Sequence, residues 1–400
     1  MRPNVPGRRF GPTPALVPAL VAALIAAIGL TGCGTGVGPG SASAEGPLRI
    51  GLLLELSGPA ASFGVPERDG AQILADEINR EGGVRGRQLE LSVYDTAGNT
   101  TRCARGASDL IRREQVVAII GGTTGSCTLA AAPVAERNKI PMLAPNGTIQ
   151  VTDPANSFFP WVFRSQVSDL ETTKAMFDGA ASAHSRLGLF FQQDAYGKDT
   201  ADYVRNVLAQ PTVTIAGEAS APLTVTDVAS QATQLRNAAP DAVLLQLSSA
   251  KLGAAFTHAA QQVGLEAEQW VGNGIGTRAF VDAAGSSADG LHVMAVANPY
   301  DPGERLARLG ALFAERGLRL EGFGEALAAT AVVAIVEAIE QSPEMVGGQE
   351  IRDALERVCM DAPYTEGQLC FGPDDHDALD AAAIVEVVVR DGAFVTVDER

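Results

Sequence analysis

The sequence predicts an α/β protein built as two lobes in tandem. Short apolar runs alternate with amphipathic helical patterns along most of the 400 residues. The alternation comes in two series of similar size, and a turn-bounded hairpin pattern closes the chain. Continuous apolar strands joined by helices mean parallel sheets covered on both faces. At ~150 residues per domain the length allows two or three units, each able to bury a core.

The first series opens with a strand over Leu48–Leu54 and a helix over Phe63–Arg80, whose Ala71, Leu74, Ala75 and Ile78 share one face. Gly82-Gly83 ends that helix, glycine supplying a left-handed cap. Strand Leu89–Tyr94, helix Thr100–Arg113, strand Val116–Ile120, helix Ser126–Asn138 and strand Ile140–Ala144 follow. The second series reads strand Leu187–Phe191, helix Gly197–Leu208, strand Val213–Ala216, helix Val225–Arg236 and strand Ala242–Leu247. Helix Lys251–Val263 and strands Trp270–Val271 and Leu291–Val296 complete it. Beyond Pro299 come helices over Gly303–Arg316, Glu325–Gln341 and Gln349–Val358, then a hairpin of Ile384–Arg390 and Ala393–Val397 about Asp391-Gly392.

The N-terminal segment reads as an address. Arg2, Arg8 and Arg9 precede an uncharged apolar run from Ala15 to Leu30, the order of a secretory signal peptide. Leu30-Thr31-Gly32-Cys33 looks like a bacterial lipobox, in which Cys33 is acylated and becomes the new N-terminus. Residues 1–33 are therefore expected to be a lipoprotein signal peptide and 34–47, rich in Gly, Ser, Ala and Pro, a flexible tether. The expected product is extracytoplasmic and held to the membrane by lipid alone. Its remaining 27 basic and 47 acidic residues give a charge of −20, which repels phosphate backbones and excludes nucleic-acid binding. Four cysteines then remain, and an even number in an exported chain favours disulfides. Of three possible pairings, proximity favours Cys103–Cys127 and Cys359–Cys370.

Catalytic motifs are missing. Gly121–Cys127 lacks the Lys of a phosphate-binding loop, no dinucleotide fingerprint occurs, and Gly125-Ser126-Cys127 lacks the flanks of a hydrolase elbow. His184, His258, His292 and His376 lie in separate elements, and Asp374-Asp375-His376-Asp377 reads as a solvated turn, so no metal or cofactor is expected. What stands out is Gly121–Ser126, a loop that leaves a strand and opens a helix. Its free N–H groups and the hydroxyls of Thr123, Thr124 and Ser126 favour a small anion such as a carboxylate. The plainer alternative is that Ser126 merely caps the helix. Polar turns at Pro145–Thr148 and Asp194–Gly197 also follow strands. Ligands of parallel sheets settle at that carboxyl edge, so a cleft between lobes is expected.

The stretch Ser57–Gly64, then Asp76-Glu77-Ile78-Asn79, then Gly82–Gly86 resembles the opening of the branched-chain-amino-acid-binding (leucine/isoleucine/valine) periplasmic proteins. These are the type I substrate-binding subunits of ABC importers. The similarity runs on through Pro145, Asp194–Gly197 and Asp241–Gly264 into the Phe371–Val397 tail. It implies two Rossmann-like lobes joined by a three-strand hinge, no catalysis, and a membrane permease as partner. On that pattern lobe 1 comprises 48–165 and 298–364, and lobe 2 comprises 166–297 and 365–400. Hinges fall near Phe163–Val167, Val296–Tyr300 and Tyr364–Gly367. The carboxylate-binding positions fall on Thr124, Gly125 and Ser126 and on Asn146, Gly147 and Thr148. The cleft aromatics fall on Phe63, which also fits a helix-start core position, and on Tyr196.

Two departures bear on the ligand. Ser248 and Ser249 stand where leucine-binding members have an aromatic, and Asn273-Gly274 where they have the acid that pairs the ligand ammonium. Either another acid holds the ammonium, or the ligand is an amide, a carboxylate or another non-amino acid. A sensory module of the same fold and, less favoured, a secreted hydrolase are the alternative functions.

Overall fold

The computed structural model describes residues 46–343 and 347–397; the signal, Cys33 and most of the tether lie outside them. The chain begins with β1 (Leu48–Leu54), α1 (Ala61–Arg80), β2 (Leu89–Asp95) and α2 (Thr100–Arg112). Next come β3 (Ala118–Gly121), α3 (Gly125–Asn138), β4 (Met142–Ala144) and β5 (Val162–Val167). β1 runs parallel between β2 and β3, Leu48 opposite Leu89 and Ile50 opposite Ala118. A strand buried on both faces has no polar alternation, which is why β1 reads as an apolar run. Its Ile50, Leu52 and Leu54 belong to one core and Leu53 to another across the sheet.

Helix α4 (Asp169–Ala183) leads into β6 (Arg186–Gln192), α5 (Ala195–Tyr203), β7 (Thr214–Ala221), α6 (Ala229–Ala238) and β8 (Ala242–Gln246). α7 (Ala250–Val263), β9 (Glu268–Val271), α8 (Arg278–Ala284) and β10 (His292–Ala295) follow. The chain returns to the first lobe with α9 (Glu304–Ala314), α10 (Gly324–Gln341) and α11 (Gly348–Leu355). β11 (Cys359–Asp361), β12 (Gln368–Cys370), β13 (Asp377–Leu379), β14 (Val385–Arg390) and β15 (Ala393–Thr396) end it. The first sheet has the order β13-β5-β4-β3-β1-β2 and the second β15-β14-β10-β9-β8-β6-β7. All pairings among β1–β10 are parallel, whereas β14 runs antiparallel to β10 and to β15. α10 packs along α1 through small residues, Gly70 lying so close to the Glu325 backbone that no Cβ fits.

Two expectations about the tail are corrected. β13 pairs with β5, so residues up to Leu379 stay with the first sheet, not the second. The last crossing between sheets therefore lies after Leu379 and not at Tyr364–Gly367. That loop is fastened to α9 instead: the Arg305 guanidinium donates to the carbonyls of Ala362 (2.9 Å), Thr365 (3.2 Å) and Gly367 (2.9 Å). The acidic turn is also less solvated than its composition predicts. His376 is buried, stacked between Phe159 and Phe163 at 4.2 and 4.0 Å, and donor–acceptor contact with the Val162 carbonyl (2.9 Å) holds it. Disulfides join Cys103 on α2 to Cys127 on α3, and Cys359 to Cys370 directly opposite on β11 and β12.

Candidate functional site

The carboxyl ends of β1, β3 and β4 and those of β6, β8 and β9 converge on one cavity. Ten of the twelve expected residues line it: Phe63, Thr124, Gly125, Asn146, Gly147, Thr148, Tyr196, Ser248, Asn273 and Gly274. Ser126 and Ser249 do not. Ser249 instead caps α7, its hydroxyl accepting the Leu252 N–H at 3.3 Å.

The side chains brought together divide into fasteners and free groups. Asn146 is a fastener: its Nδ2 donates to the Gly122 carbonyl (2.8 Å) and the Thr128 hydroxyl (2.9 Å), and its Oδ1 accepts the Thr148 N–H (3.3 Å). The turn after β4 is thereby tied to the loop after β3. Gly125 faces the Thr148 hydroxyl so closely that a Cβ would overlap it. Ser248 is likewise engaged, by Gln192 at 2.7 and 2.8 Å. The Gln166 amide joins the two lobes, with its nitrogen on the Pro145 carbonyl (2.9 Å) and its oxygen on Asn273 Nδ2 (2.7 Å).

At α3 the N-cap residue is Thr124, in extended backbone, and its side chain makes no capping bond. The N–H groups of Gly125 and Ser126 accordingly have no protein acceptor among the described residues, and neither do the hydroxyls of Thr124 and Thr148. Ser126 is thus not the cap, and the helix end presents N–H groups of the kind that suit an anion.

Three carboxyl groups add to the site, Asp194 from the turn read in the sequence and Glu67 and Asp169, which were not foreseen. Glu67, Asp169 and Asp194 all line the cavity, and among the described residues no Lys, Arg or His does. Asp194 is occupied: Oδ1 accepts the Gly197 N–H (3.0 Å) as the cap of α5, and Oδ2 accepts from Gln192 (2.8 Å). Asp169 differs. It is 2% exposed, and its Oδ2 has no hydrogen-bond partner. Burial pushes its carboxyl up to about 7; Arg164 opposes that shift, while Asp194, Asp199 and Asp377 add to it. Glu67 is pushed by burial to about 8 against a hydrogen bond from Thr123. The apolar end is made by Ala60, Phe63 and Phe323, the two rings 5.2 Å apart. Gly274 has no space for an acid, since a Cβ there would overlap the Leu247 carbonyl. The motif Ser168-Asp169, directly after β5 and capping α4, is the sequence signal that could have placed Asp169 at the cavity.

Residues 47–393 match the family model described as periplasmic binding protein. This chain belongs to that family. Its members bind substrates and are not enzymes. The Leu/Ile/Val-binding protein homolog 7 of Brucella abortus is 26% identical over 245 residues, 59% of this chain and 61% of that protein. A leucine-, isoleucine-, valine-, threonine- and alanine-binding protein of Pseudomonas aeruginosa is 23% identical over 62% of this chain and 66% of its own. The matches thus span about three-fifths of such relatives. A leucine-binding protein from Thermotoga maritima superimposes with a TM-score of 0.75 at 20% identity, covering 87% of this chain and 97% of that one. An extracellular ligand-binding receptor from Rhodopseudomonas palustris gives 0.79 at 19%, covering 88% and 100%. The binding protein therefore has the type I fold, two parallel α/β lobes about a cleft.

Proposed function

We propose that this binding protein is the lipid-anchored, extracytoplasmic subunit of an ABC importer and that its cleft takes an α-amino acid. The observation that carries the ligand class is Asp169: a buried carboxyl oxygen without a partner, lining the same cavity as the open N-terminus of α3. A zwitterion satisfies both. Its carboxylate accepts from Gly125 and Ser126 N–H and from the Thr124 and Thr148 hydroxyls, and its ammonium pairs with Asp169. Leaving either buried charge unpaired costs several kcal/mol, so the two seats together disfavour a plain carboxylate or a neutral amide.

The mechanism is coupled closure. Lobe 1 supplies the carboxylate seat and the apolar wall, and lobe 2 supplies Asp169 and Tyr196, so ligand contacts exist on both sides only when the lobes meet. A ligand shifts the population by its differential affinity for that state. Closed protein then docks on the permease, and the solute leaves unchanged. The amino acids named in the relatives support the reading, as does the lipobox at Cys33. A calorimetric screen of amino acids, amides and small carboxylates tests it. Saturable binding of an amino acid, weakened about a hundredfold in Asp169→Asn, is expected; binding only of compounds without an ammonium overturns it. Cys33→Ser should release the protein from membranes.

A further inference from the structure

We propose that Glu67 sets the side-chain preference of the cleft, so that a carboxamide-bearing amino acid of the asparagine or glutamine kind is bound in preference to an aliphatic one. The inference rests on the reading of the cleft as an α-amino-acid site.

Glu67 stands in the second turn of α1 and lines the cavity beside Phe63 and Phe323. One carboxyl oxygen is taken: Oε2 accepts from the Thr123 hydroxyl at 2.6 Å. That hydroxyl itself accepts the Glu55 N–H at 3.0 Å, which fixes its proton on Glu67. The other oxygen, Oε1, accepts no hydrogen bond from the described residues. Around Ala60, Phe63 and Phe323 the polar lining is Glu67 and Thr123, and the Thr123 hydroxyl is already engaged by Glu67 Oε2 and the Glu55 N–H. The helix of Glu67 packs closely on α10, where a Cβ on Gly324 would stand 3.2 Å from the Phe63 carbonyl and 3.4 Å from Glu67 Cγ.

An aliphatic side chain placed there strips water from Oε1 and returns nothing. A primary carboxamide answers it in either protonation state: its NH₂ donates to the carboxylate, or its carbonyl accepts the acid proton. Sites built around a buried polar group discriminate strongly against isosteres that lack the complementary atom.

The test is competitive calorimetry with shape-matched pairs, asparagine against leucine and glutamine against methionine, on the wild-type protein and on Glu67→Leu. At least one amide is expected to bind about tenfold or more tighter than its apolar partner, and Glu67→Leu is expected to reverse that order. Equal or tighter binding of leucine and methionine by the wild type overturns the inference alone, leaving the amino-acid reading intact. So does an amide preference that survives Glu67→Leu. The absence of binding by any α-amino acid overturns both. Should Glu67→Leu not give a wild-type circular dichroism spectrum, the wild-type pairs decide.

Discussion

Asp169 and Gly147 are held face to face across the floor of the cleft. The Asp169 N–H donates to the Gly147 carbonyl at 2.7 Å, and a Cβ on Gly147 would overlap Asp169 Oδ1. The turn after β4 thus sets the position of the first residue of α4. Behind the same turn the fully buried Arg164 donates to the Thr148 carbonyl (2.8 Å) and Thr152 hydroxyl (2.7 Å) and faces Asp377 at 3.4 Å. One guanidinium therefore holds the turn that carries Thr148 while its charge opposes the upward shift of Asp169.

Gly147→Ala follows directly. The Gly147 backbone is not among the positive-φ residues, so alanine adds a steric demand without backbone strain. The added methyl overlaps the Asp169 carboxylate and crowds the Val167 carbonyl, and ligand affinity should fall by about tenfold or more. Asp169→Asn removes the charge itself and should cost about two orders of magnitude, the scale of a hydrogen bond to a charged group. Calorimetry with a bound amino acid checks both, and an unaltered Gly147→Ala would show that the carboxylate moves freely.

Binding should also depend on pH. In the ligand-free protein burial holds the Asp169 carboxyl near 7, above its ordinary value, so below neutrality it is mostly protonated. Pairing with an ammonium requires the ionised form. Affinity is therefore expected to rise with pH from about 5 to about 7.5, and binding at pH 6 should release protons to buffer. Calorimetry in buffers of different ionisation enthalpy measures that release. Asp169→Asn should reduce it, and proton uptake on binding contradicts the assignment.

The central strands were legible because burial on both faces leaves a continuous apolar run, as in β1, β3 and β8. β1 matched its apolar run residue for residue. α4 was not foreseen: its buried face mixes Thr172 and Thr173 with Met176, Phe177 and Ala180, so the apolar stripe is weak. The tail was misassigned because β13 is three residues long and joins the first sheet through a contact with β5 more than 200 positions earlier, which no local pattern encodes. Within the cleft, backbone turns at strand ends were readable and the buried acids were not. A carboxylate at position 67 or 169 looks like any surface charge until packing removes its water.

The two disulfides should differ in accessibility. Cys103 and Cys127 are buried at 0% and 3% exposure, whereas Cys359 is exposed at the edge of the β11–β12 hairpin. Thiolate attack needs access to sulfur. Mild reduction of the native protein followed by alkylation is expected to label Cys359 and Cys370 first and to spare Cys103 and Cys127 until denaturant is added. Peptide mass mapping gives the order. Replacing both Cys103 and Cys127 by alanine should lower unfolding stability by about 3 kcal/mol, from the loop they close.

Arg278 joins the lobes on one rim of the cleft. It begins α8 in the second lobe, yet its N–H donates to the Glu321 carbonyl (2.7 Å) and its Nε to the Leu320 carbonyl (2.9 Å), in the segment that carries Phe323 to the cavity. Its Nη2 donates to the Pro299 carbonyl (2.6 Å), and its guanidinium lies 3.8 Å over the Tyr300 ring. On another rim Gln150 Nε2 donates to Asp199 Oδ1 at 2.7 Å, an exposed contact. If closure is the binding event, bonds made between lobes hold ligand in. Arg278→Ala should then weaken affinity by about tenfold, chiefly through faster dissociation, since it removes charge-assisted bonds and a stacked cation. Gln150→Ala, losing one solvent-exposed bond, should change it only about two- to threefold. Stopped-flow dissociation rates separate the two. Identical rates for Arg278→Ala and wild type would mean that Arg278 braces the open and closed forms equally and takes no part in retaining the ligand.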